Sequence, residues 1–189
     1  EKVCNEKQLS KEKRPYLLGV VQGDRHVRLR RESAQGLVSL GFDGLGYGGW
    51  PVMDNGEFDY EIATILAEET PKGYFLYGLG VGKPEDIVGC VKLGFNIFDC
   101  VLPTRDARHK RLYVFDGDEG FDYHYYVPKE KDLISGEPIS EGCDCLLCKN
   151  YSKGYLTHLF KIKDASAWRL ATIHNLRFYS TLMERLRNN

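Results

Sequence analysis

The stretch Tyr74-Phe75-Leu76-Tyr77-Gly78-Leu79-Gly80-Val81-Gly82-Lys83-Pro84-Glu85-Asp86 decides the fold. Tyr74–Leu79 is a short run of apolar and aromatic residues leading into glycines, the pattern of a strand buried on both faces. Pro84 then stands where a helix can open, because its missing N–H costs nothing in a first turn. Strand, glycine loop and helix start follow one another directly, which makes a βα unit. Working outward, the pattern recurs. Tyr16–Gln22, Phe42–Tyr47 and Phe95–Val101 are further strand candidates. Asp24 is placed as the cap of a helix running to about Leu40, with Val27, Ala34, Leu37 and Val38 on its apolar side and Gly41 as its stop. Residues 57 to 69 carry Tyr60, Ile62, Ala63, Ile65 and Leu66 at near-helical spacing, and Ile87, Val88 and Val91 continue the helix of Pro84 to Gly94. Repeated strand–helix units predict right-handed crossovers and a parallel sheet. Four strands make an incomplete sheet or half of an eight-stranded barrel.

After the last strand the pattern changes. Residues 110 to 148 are rich in Gly, Asp and Tyr, with a short strand candidate at Leu112–Phe115, and run into Cys143-Asp144-Cys145-Leu146-Leu147-Cys148. Two helices are expected beyond, roughly 149–163 and 165–187. The second packs through Trp168, Ala171, Leu176, Tyr179, Leu182 and Met183, with His174 among them. Thiolate and imidazole suit a borderline-soft d¹⁰ ion such as zinc, and four such ligands complete a tetrahedron. Cys143, Cys145, Cys148 and His174 therefore read as a structural zinc site, since four protein ligands leave no open position. His158 is a rival fourth ligand, although Tyr155, Leu156, Leu159 and Phe160 around it look like a packed helix face. The bland alternative is three buried or redox cysteines beside an unrelated histidine.

Bulk properties are those of a globular chain. It has 189 residues, 42% of them hydrophobic and 28% charged, with a net charge of −1 that gives no global argument for nucleic acid. The charge is uneven: from Lys149 to the C-terminus eight basic residues face only Asp164 and Glu184. Arg105, Arg108, Lys110 and Arg111 form a second basic cluster directly after a strand, and such clusters contact phosphates. Cys90 and Cys100 sit in apolar stretches, as reduced cytosolic cysteines do, and Cys4 is the sixth. No apolar run approaches the ~18 residues of a membrane span. Glu1 to Arg14 is charged and no signal peptide, and with no initiator Met the chain reads as a fragment, a processed product or an excised piece.

In βα folds chemistry gathers at the C-terminal ends of the strands. The first strand ends in Gln22-Gly23, whose amide offers donor and acceptor to a heterocycle edge. The second ends in Gly46-Tyr47-Gly48-Gly49, where paired glycines let a ligand approach the backbone. The third leads through Gly80-Val81-Gly82-Lys83 to a helix N-terminus, a natural anion site. The fourth carries Asp99 among Phe95, Ile97, Phe98, Cys100 and Val101, and an ionisable side chain in an apolar strand needs a partner or a job. Pro103-Thr104-Arg105-Asp106-Ala107-Arg108 follows.

Together these segments resemble the tRNA-guanine transglycosylase family, in order and spacing from Leu17 to about Leu186. The strongest pieces are Val21-Gln22-Gly23, Gly41-Phe42-Asp43-Gly44, Gly80-Val81-Gly82-Lys83-Pro84-Glu85-Asp86, Phe98-Asp99-Cys100-Val101-Leu102-Pro103-Thr104-Arg105, and the cysteine set with Thr172-Ile173-His174-Asn175-Leu176-Arg177. The resemblance implies an α/β fold, the C-terminal half of a TIM (β/α)8 barrel with a zinc-binding subdomain. Residues 1–109 would be a half-barrel of four βα units and 110–189 the zinc subdomain with its C-terminal helices. The family exchanges guanine at the tRNA wobble position for a 7-deazaguanine base, queuine or preQ1. Carried over, Asp99 matches the nucleophile that forms a covalent intermediate with tRNA. Gln22 and Gly49 match base-binding positions. Gly80, Val81, Gly82, Lys83, Pro84, Glu85 and Asp86, with Thr104, Arg105, Asp106, Ala107 and Arg108, match segments that hold the anticodon loop. Cys143, Cys145, Cys148 and His174 match ligands of a structural Zn²⁺.

Two departures accompany the match. The family's first half, with its acid/base aspartate, is absent, so the isolated fragment is expected to be inactive. Trp50-Pro51 stands where many bacterial members have small aliphatic residues beside the incoming base, which leaves the choice of base open. The expected partners are the tRNA anticodon loop, a 7-deazaguanine base, and a second copy or a partner subunit of the family, in the cytoplasm and away from membranes. The alternative reading is a non-catalytic accessory subunit that binds tRNA or a partner. Asp99 favours the enzyme, because a subunit relieved of catalysis has no use for that carboxylate.

Overall fold

The computed structural model describes residues 14–188, so Cys4 and the charged segment before Arg14 lie outside the described residues. The described residues divide into two compact units, 14–82 with 89–100, and 83–88 with 101–188. The first is a mixed α/β unit in which β1 (Leu18–Val21), α1 (Val27–Ser39), β2 (Gly44–Tyr47), α2 (Tyr60–Glu69), β3 (Phe75–Gly78), α3 (Pro84–Leu93) and β4 (Ile97–Phe98) alternate. Residues 84–88 of α3 group with the second unit. The four strands form one parallel sheet in the order β1-β2-β3-β4, with Val21 opposite Tyr47, Gly46 opposite Tyr77 and Gly78 opposite Phe98. β2 is buried along its whole length, and Leu45 and Tyr47 lie in the core with Val21, Ile62, Leu66 and Leu76. Asp43 ties the chain before β1 to the chain before β2: it accepts a bidentate pair from Arg14 at 2.6 and 2.7 Å and the N–H of Leu17 at 2.8 Å.

Several elements differ from their sequence reading for local reasons. Asp24 does not cap α1; it sits at φ +50°, and His26 takes the N-cap position without a side-chain bond. Val27 faces solvent, while Arg30 is buried. β4 is only two residues long, because Asn96 turns its side chain into the ladder and accepts the N–H of Leu76 at 3.2 Å. At the other end, the register with β3 runs to Gly78 opposite Phe98.

The second unit holds α4 (Leu102–Arg108), the hairpin β5 (Leu112–Phe115) and β6 (Tyr123–Tyr126), and a 3₁₀ turn at Glu130–Ile134. It closes with α5 (Leu146–Asn150), α6 (Lys153–Lys161) and α7 (Ala165–Asn188). α4 belongs to this compact unit, where it packs on α7. The single helix expected over 149–163 is two. Tyr151 is extended, and the Ser152 hydroxyl accepts the N–H of Tyr155 at 3.1 Å and starts α6 afresh. Leu112, Ile139, Leu147, Leu156, Phe160, Ala167 and Leu170 make the apolar core. Trp168 and Leu176, expected inside, are exposed.

A second cluster is aromatic. Phe178 stacks on Phe115 with centroids 4.0 Å apart and on Tyr113 at 5.2 Å, and Arg185 lies over Phe115 at 3.9 Å. Tyr113 is wholly buried, and burial above all keeps its phenol protonated, where it donates to Asp106 Oδ2 at 2.5 Å. No helix of the described residues is long and apolar enough to cross a membrane. Phe178→Ala should lower stability by about 3–5 kcal/mol in denaturant unfolding, because the cavity opens between β5 and α7 where neither can collapse inward.

Candidate functional site

The strand-end residues of the first unit converge in part. Gln22 lies just beyond β1, exposed, with its N–H bonded to the Ser33 hydroxyl at 3.1 Å. The N–H of Gly48 donates to the Val21 carbonyl at 3.0 Å, which folds the end of β2 back against the end of β1. A Cβ on Gly48 would fall 2.4 Å from that carbonyl oxygen and 2.6 Å from Gln22 Nε2, so only glycine permits the approach. Gly49 follows at φ +84°, and Trp50 beyond it is 82% exposed. Gln22 and the Gly48-Gly49 turn are therefore neighbours.

Arg30, a charged residue on α1, is buried. Its Nη1 donates to Val21 O at 2.8 Å and its Nε to Asp24 O at 2.6 Å, while the guanidinium lies over the Tyr47 ring, 5.0 Å from its centroid. One cation thus bonds the end of β1 and the loop after it while lying over the ring that ends β2. Burial and then the charge of Asp59 push the Tyr47 hydroxyl up to about 12, against the opposing pull of Arg30. No sequence signal separated Arg30 from Arg28 and Arg31; only the three-dimensional return of the strand ends does so.

Asp99 is corrected in its setting. The carboxylate is not buried in an apolar strand. β4 ends at Phe98, and Asp99 stands exposed just past it. Its Oδ1 accepts the N–H of Gly80 at 3.0 Å, a bond that takes over where the β3–β4 ladder stops. Gly80 adopts φ +72° to turn that N–H toward it. Tyr77, on β3, also bonds Asp99; burial first and then this hydrogen bond raise the Tyr77 hydroxyl above its ordinary range.

The two segments read as RNA contacts each split by exposure. In the first, Gly80, Lys83 and Glu85 are exposed, whereas Val81, Gly82, Pro84 and Asp86 are buried. Glu85 accepts the Tyr123 hydroxyl at 2.7 Å. In the second, α4 turns Arg105 and Arg108 outward and leaves Thr104 half-buried, while Asp106 and Ala107 point into the second unit.

The second unit also gathers the four candidate metal ligands. The sulfurs of Cys143, Cys145 and Cys148 and the Nδ1 of His174 all lie within 4.8 Å of one another. Nδ1 is 3.8, 3.6 and 3.3 Å from the three sulfurs in turn. A tetrahedral zinc with ordinary bond lengths sets sulfur and nitrogen about 3.6 Å apart, so the spacing fits such an ion. Local structure builds the set. Cys145 caps α5, its sulfur accepting the Cys148 N–H at 3.3 Å, which puts two sulfurs on one helical turn. His174 comes from α7 and is buried. Its Nε2 donates to the carbonyl of Tyr113 at 2.8 Å, which fixes the tautomer and leaves the Nδ1 lone pair for the sulfurs. Hydrogen bonds from Cys143 and Cys148 hold the Cys145 thiol down to about 3, and the same crowding raises Cys148. A divalent cation among them relieves that conflict by taking all three as thiolates. His158, the rival ligand, is exposed on α6 and outside the group.

Residues 2–189 match the family profile described as queuine tRNA-ribosyltransferase. The chain belongs to this family. It is 43% identical over 171 residues to the queuine tRNA-ribosyltransferase of Thioalkalivibrio sulfidiphilus, covering 90% of this chain and 44% of that protein. The enzyme of that name from Haemophilus ducreyi is also 43% identical, over 90% of this chain and 43% of its own length. The one from Psychrobacter cryohalolentis is 39% identical over 172 residues, 91% of this chain and 45% of its own. The chain thus spans less than half the length of these relatives.

Metal analysis is expected to find one tightly held ion per chain. Cys145→Ala or His174→Ala should abolish it and His158→Ala should leave it in place, as read by elemental analysis after dialysis.

Proposed function

We propose that this chain is the nucleophile-bearing part of a tRNA-guanine transglycosylase. The observation that carries the reading is the Asp99 carboxylate, exposed beyond β4 and held by the Gly80 N–H, in the same unit as Gln22 and the Gly48-Gly49 turn. In this reading the four parallel strands are half of a (β/α)8 barrel whose strand ends carry the chemistry. Residues 110–189 are a subdomain around a structural Zn²⁺. The wobble guanine is turned out of the anticodon loop and read on its edge by Gln22 and the backbone at Gly49.

Asp99 attacks C1′ of the flipped nucleotide. The bond to guanine breaks as the new carbon–oxygen bond forms, and guanine leaves with the electron pair and takes up a proton from a group beyond these residues. A 7-deazaguanine base, queuine or preQ1, then attacks C1′ through N9 as it gives its N9 proton back to that same group, the C1′–oxygen bond breaks, and the Asp99 carboxylate is restored. The Gly80 N–H and the Tyr77 hydroxyl aim the carboxylate and limit its rotation. Lys83, Arg105 and Arg108, all exposed, take the phosphates of the anticodon loop. Trp50, at the edge of the base-binding turn, sets which base enters. A cytoplasmic location, and pairing with a second copy or a partner subunit, complete the proposal.

The test uses this chain within a protein of the relatives' full length. Asp99→Ala should abolish guanine exchange and the denaturant-resistant tRNA adduct while sparing most of the tRNA affinity. Arg105→Ala should instead weaken binding and reduce the salt slope by about 1, with adduct formation retained at saturating tRNA. An adduct that persists in Asp99→Ala removes the nucleophile assignment, and an accessory tRNA-binding role takes its place.

A further inference from the structure

Asn175 follows the ligand His174 on α7 and is wholly buried. Its Oδ1 accepts the N–H of Tyr113 at 3.2 Å, and its Nδ2 donates to the carbonyls of Pro103 and Arg111, each at 3.0 Å. One acceptor and two donors meet one backbone N–H and two backbone carbonyls. The reversed amide would set like against like, so the orientation is determined. No other side chain of this size matches that set: Asp has no donor, and Leu would leave all three backbone groups without a bond.

The partners lie 62 to 72 residues away in sequence, which rules out a local capping role. Pro103 opens α4 and Arg111 follows its end, so the two carbonyls bracket the turn that carries Arg105 and Arg108. His174 holds the other side of Tyr113, through the carbonyl. Adjacent residues of α7 therefore bond both main-chain groups of Tyr113, one reaching on to the sulfurs and the other on to α4.

We infer that Asn175 is a positioning residue that sets Arg105 and Arg108 for phosphate contact, and that the His174-Asn175 pair makes the order of this basic segment depend on the metal cluster. This rests on reading α4 as a tRNA-binding element. Asn175 is buried beneath α4 and acts only through it. Loss of its three bonds frees the 103–111 backbone without removing a charge or a metal ligand.

The experiment uses the metal-loaded protein in the full-length setting given above. It measures metal content, hydrogen exchange over residues 101–113, and tRNA affinity across a salt series. Asn175→Ala is expected to keep its metal, to lose exchange protection over 101–113, and to bind tRNA about tenfold more weakly. In an Arg105→Ala/Arg108→Ala background the same change should add less than about twofold, because the groups it positions are gone. Asn175→Asp keeps the acceptor for Tyr113 and loses both donors toward α4, so it should behave as Asn175→Ala and serves if that variant does not fold. Chelation of the metal from the unmodified protein should expose 101–113 in the same way. Full tRNA affinity in a metal-loaded Asn175 variant overturns the inference, as does an equal loss in both backgrounds or protection that survives chelation. If the Arg105/Arg108 double variant binds tRNA normally, the reading of α4 as an RNA element falls instead.

Discussion

The ring of His174 is bonded on both sides, Nδ1 facing three sulfurs and Nε2–H bonded to the Tyr113 carbonyl. That pair of bonds joins three pieces of chain that share no local contact in sequence: the Cys143–Cys148 turn, the long helix α7 and the strand β5. The packing of the second unit follows from it. β5 lies where α7 can bury Tyr113 and stack Phe178 on Phe115, and α4 lies against α7 where Asn175 can reach it. A small unit with short strands has little apolar area to spend, so a few directed bonds decide its arrangement.

The first unit is organised differently. Its constraint is the parallel ladder, which leaves strand ends with unmet backbone groups, and each end is met by a side chain or by the next loop. Arg30 meets the carbonyls after β1, the Gly48 N–H returns to Val21, and Asp99 receives the N–H of Gly80. The residues that finish the ladder include those proposed above to meet the substrate. A carboxylate held by one backbone N–H and one hydroxyl is aimed without being consumed, since lone pairs remain.

Much of this was legible in the chain. The βα alternation, the helix opened by Pro84 and the cysteine spacing rest on periodicity, φ restriction and ligand number, which are local properties. The losses share a cause. β6 was missed because Tyr123-His124-Tyr125-Tyr126 pairs with β5 across a Gly- and Asp-rich turn that reads as loop. Arg30 and Asn175 look like ordinary polar helix residues, and their burial depends on carbonyls brought from other elements. The setting of Asp99 was misread: the apolar letters around it suggested burial in a strand, but β4 ends at Phe98 and the carboxylate emerges beyond it, where it takes the Gly80 N–H.

Four cysteines would hold a tetrahedral zinc as readily as three and a histidine. Coordination alone therefore does not dictate the imidazole at position 174. The Tyr113 carbonyl does, because a thiolate there would complete the tetrahedron and leave that buried oxygen without its donor, at a cost of about 1–3 kcal/mol. The mixed set of three sulfurs and one imidazole is thus a requirement of β5 rather than of any ion the group could hold, and its two kinds of side chain are not interchangeable.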